Sequence, residues 1–283
     1  MKLATGILIL VLLFFPFQKA SAESLKDITV TLTAGEVDSA DDIEAAIIQA
    51  TENGTRPGTV ILDGQNGAFL FTGDDRSLNI FVSSLILRGM NKVIIVNCDD
   101  GLFFDDFPLQ NILIEGITFL CTGDGMEATG TFQDVTLSNN IFMVRNNGIG
   151  MAGNSTGWLV ERNLIQAGWD GIRITGAENV VITNNYISGN IGIGLMSCSE
   201  MKVRRNTIQA VYQGVLLGQE SWENMVHANA ILGVSFAGIS LEPGVVDNRI
   251  IANRVTCAPE MTCLTVEALP EVAESNKIAG NKP

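Results

Sequence analysis

The feature that most constrains this chain is a pair of residue columns that recur together every 21 to 24 positions. Asparagine stands at Asn140, Asn163, Asn185, Asn206, Asn229 and Asn253, at intervals of 23, 22, 21, 23 and 24. Glycine stands at Gly101, Gly125, Gly148, Gly171, Gly192, Gly214 and Gly238, at intervals of 24, 23, 23, 21, 22 and 24. Gly116 lies 24 positions before Asn140 and extends the Asn column upstream. Two columns that drift in step define a repeat too short to bury an apolar face alone, so the units must stack.

Between the columns the pattern alternates with period two, the signature of strands. Apolar-x-apolar triplets follow the glycines, as in Ile172-Arg173-Ile174 and Ile239-Ser240-Leu241. Similar triplets precede the asparagines, as in Val180-Val181-Ile182, and an apolar residue stands two places after each Asn. Three short strands per turn, each with one inward apolar face, give an all-β chain: a single-stranded, right-handed parallel β-helix solenoid. Its coils rise about 4.8 Å each. Stacked asparagines in its turns are expected to bond backbone and one another as an amide ladder. The glycines are expected to take backbone conformations barred to other residues.

The ends differ. Lys2, an apolar run from Ile7 to Phe17 and Ala20-Ser21-Ala22 read as an export signal cleaved after residue 22. No later apolar run reaches spanning length, so no membrane span is expected after cleavage. Residues 23–58 hold a strand and a capping helix: Ser39 with Asp42 resembles a capping box, and Ile43, Ala46, Ile47 and Ala50 have helical spacing. The solenoid then covers 59–256, and 257–283 lose the pattern as a closing cap or tail. Export permits disulfides. Cys257 pairs best with Cys263, Cys98 lies one coil from Cys121, and Cys198 is left as a buried thiol.

The Asn-x-Ile and Gly-Ile-x-Ile repeats, with the cap helix running into Gly58-Thr59-Val60-Ile61-Leu62, resemble the pectin-lyase-like superfamily. The resemblance covers nearly all of the mature chain. It implies a secreted or periplasmic protein, here expected to be a monomer, that binds or processes an extracellular polysaccharide as lyase, hydrolase or uronan epimerase. The alternative is a non-catalytic structural or adhesive solenoid. The signatures tied to particular activities in that superfamily are missing. There is no Gly-His-Gly, no Asp-Pro-His-Asp and no Arg-x-Pro-x-x-Arg. Trp169-Asp170-Gly171-Ile172 and Arg173-Ile174-Thr175 are the nearest matches.

Charge narrows the partners. Without Lys2 and Lys19, 15 basic residues stand against 31 acidic, a net charge of −16. That opposes nucleic acid and anionic membrane as partners, and opposes long-range attraction of an acidic polysaccharide without a bridging cation. The residue before each column glycine makes a polar ridge: Asp100, Asp124, Asn147, Asp170. Asp124 and Asp170, two coils apart, fall roughly 9–10 Å from each other, near the upper end of the separation used by inverting glycosidases. One would act as acid while the other activates water. Glu127 and Arg173 project from the following strand and complete the candidate catalytic group. Trp169 and Tyr212 could stack on sugar rings, with Asn147 and Asp100 as further ligand contacts. The competing reading is turn chemistry, because Asp-Gly and Asn-Gly favour turns. Asp99, Asp100, Asp105 and Asp106, in an acidic stretch, could hold Ca²⁺ through oxygen ligands. Arg204, Arg205 and Arg162 flank the Asn column as a smaller basic group, read as surface pairs.

Overall fold

The computed structural model describes residues 28–35, 37, 39–71, 77–104 and 107–283. The expected leader at 1–22 lies outside the described residues. The chain winds into a parallel β-solenoid of about 9 turns, with three sheets along its axis. Sheet I begins with Ile28–Thr33 and Gly58–Asp63 and takes the first parts of Leu85–Cys98 and Leu109–Cys121. It continues through Phe132–Ser138, Leu159–Glu161, Val181–Thr183, Lys202–Arg204, Met225–His227 and Arg249–Ile251 to Lys277–Ala279. Sheet II takes the later parts of those two long strands, then Ile141–Val144, Leu164–Ala167, the first parts of Tyr186–Met196 and Thr207–Leu217, Ala230–Val234 and Arg254–Cys257. Sheet III includes Leu102–Phe104, Met126–Thr129, Ile149–Ala152, Ile172–Thr175, the ends of the same long strands, Ala237–Leu241 and Leu264–Ala268.

Every pairing between named strands is parallel, and outside register shifts at Arg88/Val93, Val96/Cys98, Gly189/Ile191 and Leu232/Val234 like residues stack. Ile149, Ile172, Ile193, Val215 and Ile239 form one fully buried row on sheet III. Phe142, Ile165, Ile187, Ile208 and Ile231 form another on sheet II. β-Branched side chains fit such a pleated surface, and each one buried stabilises the fold by about 1.5–3 kcal/mol at most. The bridges Cys98–Cys121 and Cys257–Cys263 form, and the first ties two successive coils; Cys198 is buried and free.

The asparagines form the expected ladder at the corner between sheets I and II. Each Oδ1 accepts the backbone N–H of the Asn one coil earlier, as from Asn163 to Asn185 and from Asn185 to Asn206, both at 2.9 Å. Each Nδ2 donates to a strand carbonyl of the preceding coil, as Asn206 does to Ile182 at 2.9 Å. One assignment shifts. Asn140 Oδ1 accepts from Ile117, so Ile117 and not Gly116 occupies the ladder position upstream. Gly116, at φ 74°, joins the left-handed residues that precede the ladder, such as Asn184 at φ 56° and Arg205 at φ 55°. A second ladder, unread from the sequence, runs through Asn224, Asn248 and Asn276 at the corner between sheets III and I.

The glycine column exists for a different reason than expected. None of its seven members has positive φ. Instead each is crowded: a Cβ on Gly171 would lie 2.2 Å from Ile187 Cγ2 and 2.6 Å from the Gly192 carbonyl. The column marks where coils approach too closely for a side chain.

The helix spans Ala40–Thr51, with the Ser39 side chain accepting from the Asp42 N–H, and buries Ile43, Ala46, Ile47 and Ala50 over the first coil. At the far end the stack runs on beyond residue 256. Leu264–Ala268 pairs with sheet III, Lys277–Ala279 pairs with sheet I, and Asn276 and Asn281 add rungs to both ladders. The pattern fades there in the sequence because the ladder interval widens to 28 residues.

A candidate carbohydrate site at the corner of sheets II and III

The polar ridge occupies the corner between sheets II and III. Asp100 Oδ1 accepts the Asp124 N–H, and Asp124 Oδ1 accepts the Asn147 N–H, both at 2.7 Å. This carboxylate ladder ends at Asn147, whose Oδ1 is buried with no hydrogen-bond partner among the described residues. Asp124 is therefore bonded into the turn, as the turn reading of the sequence requires, and also borders a cavity.

That cavity, about 140 Å³, lies on sheet III and is lined by Asp124, Glu127, Asn147 and Arg173 together with Thr129 and Thr175. Register explains the convergence: Glu127, Gly150 and Arg173 are stacked outward-facing neighbours, and Gly150 leaves a gap between the acid and the base. A Cβ there would meet only Met126 O at 3.5 Å, so the gap is not forced by the fold. Burial raises the Asp124 carboxyl above the ordinary range, against the bonds from Asn147, and the neighbouring Asp100 raises it further. Burial also raises Glu127, reinforced by Asp124 and Asp100. The cavity thus holds acids biased to keep a proton beside a fixed cation, as acid–base chemistry requires.

Asp170 faces elsewhere. With Trp169 it lines a larger hollow of about 840 Å³ over sheet II. Burial raises Asp170 too, opposed by Arg173. Asp124 and Asp170 therefore border different depressions. Trp169 is 64% exposed. Across the hollow stands Tyr186, whose hydroxyl donates to Gln209 Oε1 at 2.6 Å. Gln166, Asn190, Gln209, Ser188 and Ser235 supply amides and hydroxyls, and Asp170 is the only carboxylate in the lining. Sequence reasoning missed Tyr186 and the glutamines. The available signal was an aromatic at an outward position of a strand, Asn185-Tyr186-Ile187. Tyr212 lies apart from this hollow and stacks on Phe236, ring centroids 5.0 Å apart.

Asp99 and Asp100 lie just before Leu102–Phe104, whereas Asp105 and Asp106 lie outside the described residues. Among the described residues no group of three or more His, Cys, Asp or Glu is arranged to hold a metal ion.

Three parallel sheets, a buried Asn ladder and a recessed polar corner define a right-handed parallel β-helix. The chain belongs to the NosD family: the family model described as "Periplasmic copper-binding protein (NosD)" matches residues 89–282. No curated protein matches the chain. Among solved structures it is similar to a DFA-IIIase from Arthrobacter chlorophenolicus A6 solved without its lid. That match has 12% identity over 89% of this chain and 93% of that one, with a TM-score of 0.53. It is also similar to the tailspike of E. coli bacteriophage HK620 in complex with a hexasaccharide. Here identity is 15% over 83% of this chain and 62% of the tailspike, with a TM-score of 0.51. At such identities the likeness gives the fold alone.

The family description names copper, whose protein sites draw on imidazole, thiolate and thioether ligands. The chain has one histidine, His227, between Arg204 and Ile251 on sheet I. Four of its five cysteines form disulfides, and the Cys198 thiol is buried against the Ile174 and Met196 carbonyls. His227 and, two residues earlier on the same strand, the Met225 thioether stand between Lys202, Arg204, Arg249 and Ile251, and do not by themselves complete a copper centre.

Proposed function

We propose that the protein is an exported β-helix, periplasmic or secreted, that binds a polysaccharide across the corner of sheets II and III. The observation carrying this reading is the hollow of about 840 Å³, walled by exposed Trp169 and Tyr186 and lined by amides, hydroxyls and one carboxylate among small apolar residues and Val211. Aromatic faces stack on the apolar faces of sugar rings, and amides and hydroxyls match sugar hydroxyls. A lining with a single negative charge favours neutral sugar units in this hollow. The family's periplasmic description and the oligosaccharide carried by the tailspike are compatible with this reading.

A second reading adds chemistry. Asp124, Glu127 and Arg173 meet in one cavity, and both acids are biased towards the protonated form. In this reading Glu127 protonates a leaving oxygen, Asp124 positions water or stabilises charge, and Arg173 holds an anionic or hydroxyl group. Asn147 lines the same cavity, and Asp100 backs Asp124. The mature protein, a monomer in this proposal, is to be passed over immobilised neutral and acidic glycans while released reducing ends and unsaturated products are measured. Binding of a neutral glycan that falls at least tenfold in Trp169→Ala supports the first reading. Equal retention of both proteins refutes it. Product release that survives Glu127→Gln removes the second.

A further inference from the structure

Sheet II changes chemistry along the solenoid axis. A strand with one face in water alternates apolar and polar residues, whereas a strand covered on both faces is apolar throughout. The late strands of sheet II alternate, as Tyr186-Ile187-Ser188 and Thr207-Ile208-Gln209 do. The early ones do not: Ile94-Ile95-Val96 and Ile141-Phe142-Met143 are apolar throughout, and Thr118-Phe119-Leu120 nearly so. Their inward members Ile95, Phe119 and Phe142 fill the core. Their outward members stack into two rows. Leu70, Val96, Leu120 and Met143 make one row. Ile94, Thr118, Ile141 and Leu164 make the other. Leu70 is 50% exposed, Leu120 36% and Met143 41%, and the second row is half-buried. The next rung of each row belongs to the hollow. Gln166 follows Met143, Tyr186 follows Leu164, and Ser188 and Gln209 come after. Neither row carries a charge between Leu70 and Gln209.

From this juxtaposition we propose that the ligand is amphiphilic: a saccharide carrying an acyl or alkyl chain, with its sugar in the hollow and its hydrocarbon laid along the apolar rows towards Leu70. The inference rests on the carbohydrate reading of the hollow and names the chemistry of the ligand's other end. A contiguous apolar patch with a polar rim marks a binding surface, and here the rim on one side is the sugar hollow itself. The dimensions of the strip select the occupant. Three coil steps separate Leu70 from Met143, and the rows stand two residues apart, so the strip measures about 14 Å by 7 Å. With side-chain width included it covers roughly 200 Å², against the roughly 800 Å² that each partner gives to a stable protein interface. It is too small to seat a second copy of this chain and suits an extended hydrocarbon chain. With no charge in either row, contact with that chain depends on apolar burial alone.

The test is isothermal titration calorimetry on the mature protein with octyl, decyl and dodecyl maltoside, below micelle formation, and with dodecyl phosphocholine as the chain without a sugar. Affinity for the maltosides should rise roughly two- to fourfold per added methylene. Leu120→Thr with Met143→Thr should flatten that rise, threonine being suited to an outward strand position. Trp169→Ala should weaken every maltoside roughly tenfold and leave dodecyl phosphocholine, the weaker ligand, unchanged. Should the double variant melt early, the chain-length series on the wild type decides by itself. Affinity independent of chain length overturns the proposal, as does equal affinity for dodecyl maltoside and dodecyl phosphocholine, or no binding of any maltoside. If a neutral glycan is still retained through Trp169 in those cases, only this inference falls; if it is not, the carbohydrate reading of the hollow falls too. A dimer in sedimentation that dissociates in the double variant overturns the proposal in favour of a second copy.

Discussion

Replacing Asn206 by Ala should break one rung of the main ladder and weaken the join between two coils. Asn206 is 1% exposed. Its Oδ1 accepts the Asn185 N–H at 2.9 Å and Asn185 Nδ2 at 3.0 Å, and its Nδ2 donates to Ile182 O at 2.9 Å and Asn229 Oδ1 at 3.1 Å. The bond from its own N–H to Asn229 Oδ1 survives the change. Truncation leaves the Asn185 N–H and the Ile182 carbonyl without their side-chain partners in a dry corner. A buried group left unsatisfied costs about 1–3 kcal/mol, so two with partial relaxation cost about 3 kcal/mol. In a solenoid that loss falls on one nearest-neighbour interface, and the two halves should begin to unfold separately. Urea denaturation should show a lowered or split transition, and hydrogen exchange should show the Asn185 amide losing protection first. Gln166→Ala, exposed on sheet II, is the control and should change stability by less than about 0.5 kcal/mol. A loss below about 1 kcal/mol with Asn185 still protected would refute the ladder as a source of stability.

Gly171→Ala should destabilise by about 1–3 kcal/mol through overpacking, because its Cβ would lie 2.2 Å from Ile187 Cγ2. Gly150→Ala, with its nearest contact at 3.5 Å, should keep the melting temperature yet narrow the cavity between Glu127 and Arg173; thermal melts of both variants check this. Because burial raises Asp124 and Glu127, the native state holds protons more tightly than the unfolded state. Their contribution is present below the ordinary carboxylate range and is lost as pH rises through the raised values. Melting temperature should therefore gain from these groups on moderate acidification, and Asp124→Asn with Glu127→Gln should flatten that part of the pH profile. Reducing Cys98–Cys121, which closes a separation of 23 residues, should cost about 3 kcal/mol; peptide mapping without reductant should recover the two peptides joined.

Much of the fold was legible because its signals repeat. An Asn or Gly at one position says little, but six in phase with alternating apolar triplets leave few structures other than a stacked coil. The cap helix was legible from its own few residues, since Ser39 and the spacing of Ile43, Ala46 and Ile47 are local signals. The acid cavity was partly legible: the interval of 23 residues from Asp124 to Asn147 fixes them as stacked neighbours, and Glu127 and Arg173 follow. The pairing of Asp124 with Asp170 did not emerge, because the corner turns one towards sheet III and the other towards sheet II.

The sequence by itself determined the repeat, the three-strand coil, the Asn ladder and the capped start; it placed Cys98 one coil from Cys121 and Cys257 near Cys263, and the structure joined both pairs. These depend on periodicity, which is local and averaged over many turns. Only the tertiary structure decided the ladder's register at Ile117, the crowding that requires the column glycines, and the hollow between Trp169 and Tyr186. The physical reason is that outward-facing neighbours come from different coils. Coils vary in length by a few residues, and a slip of one residue changes which side chains meet and which face they share.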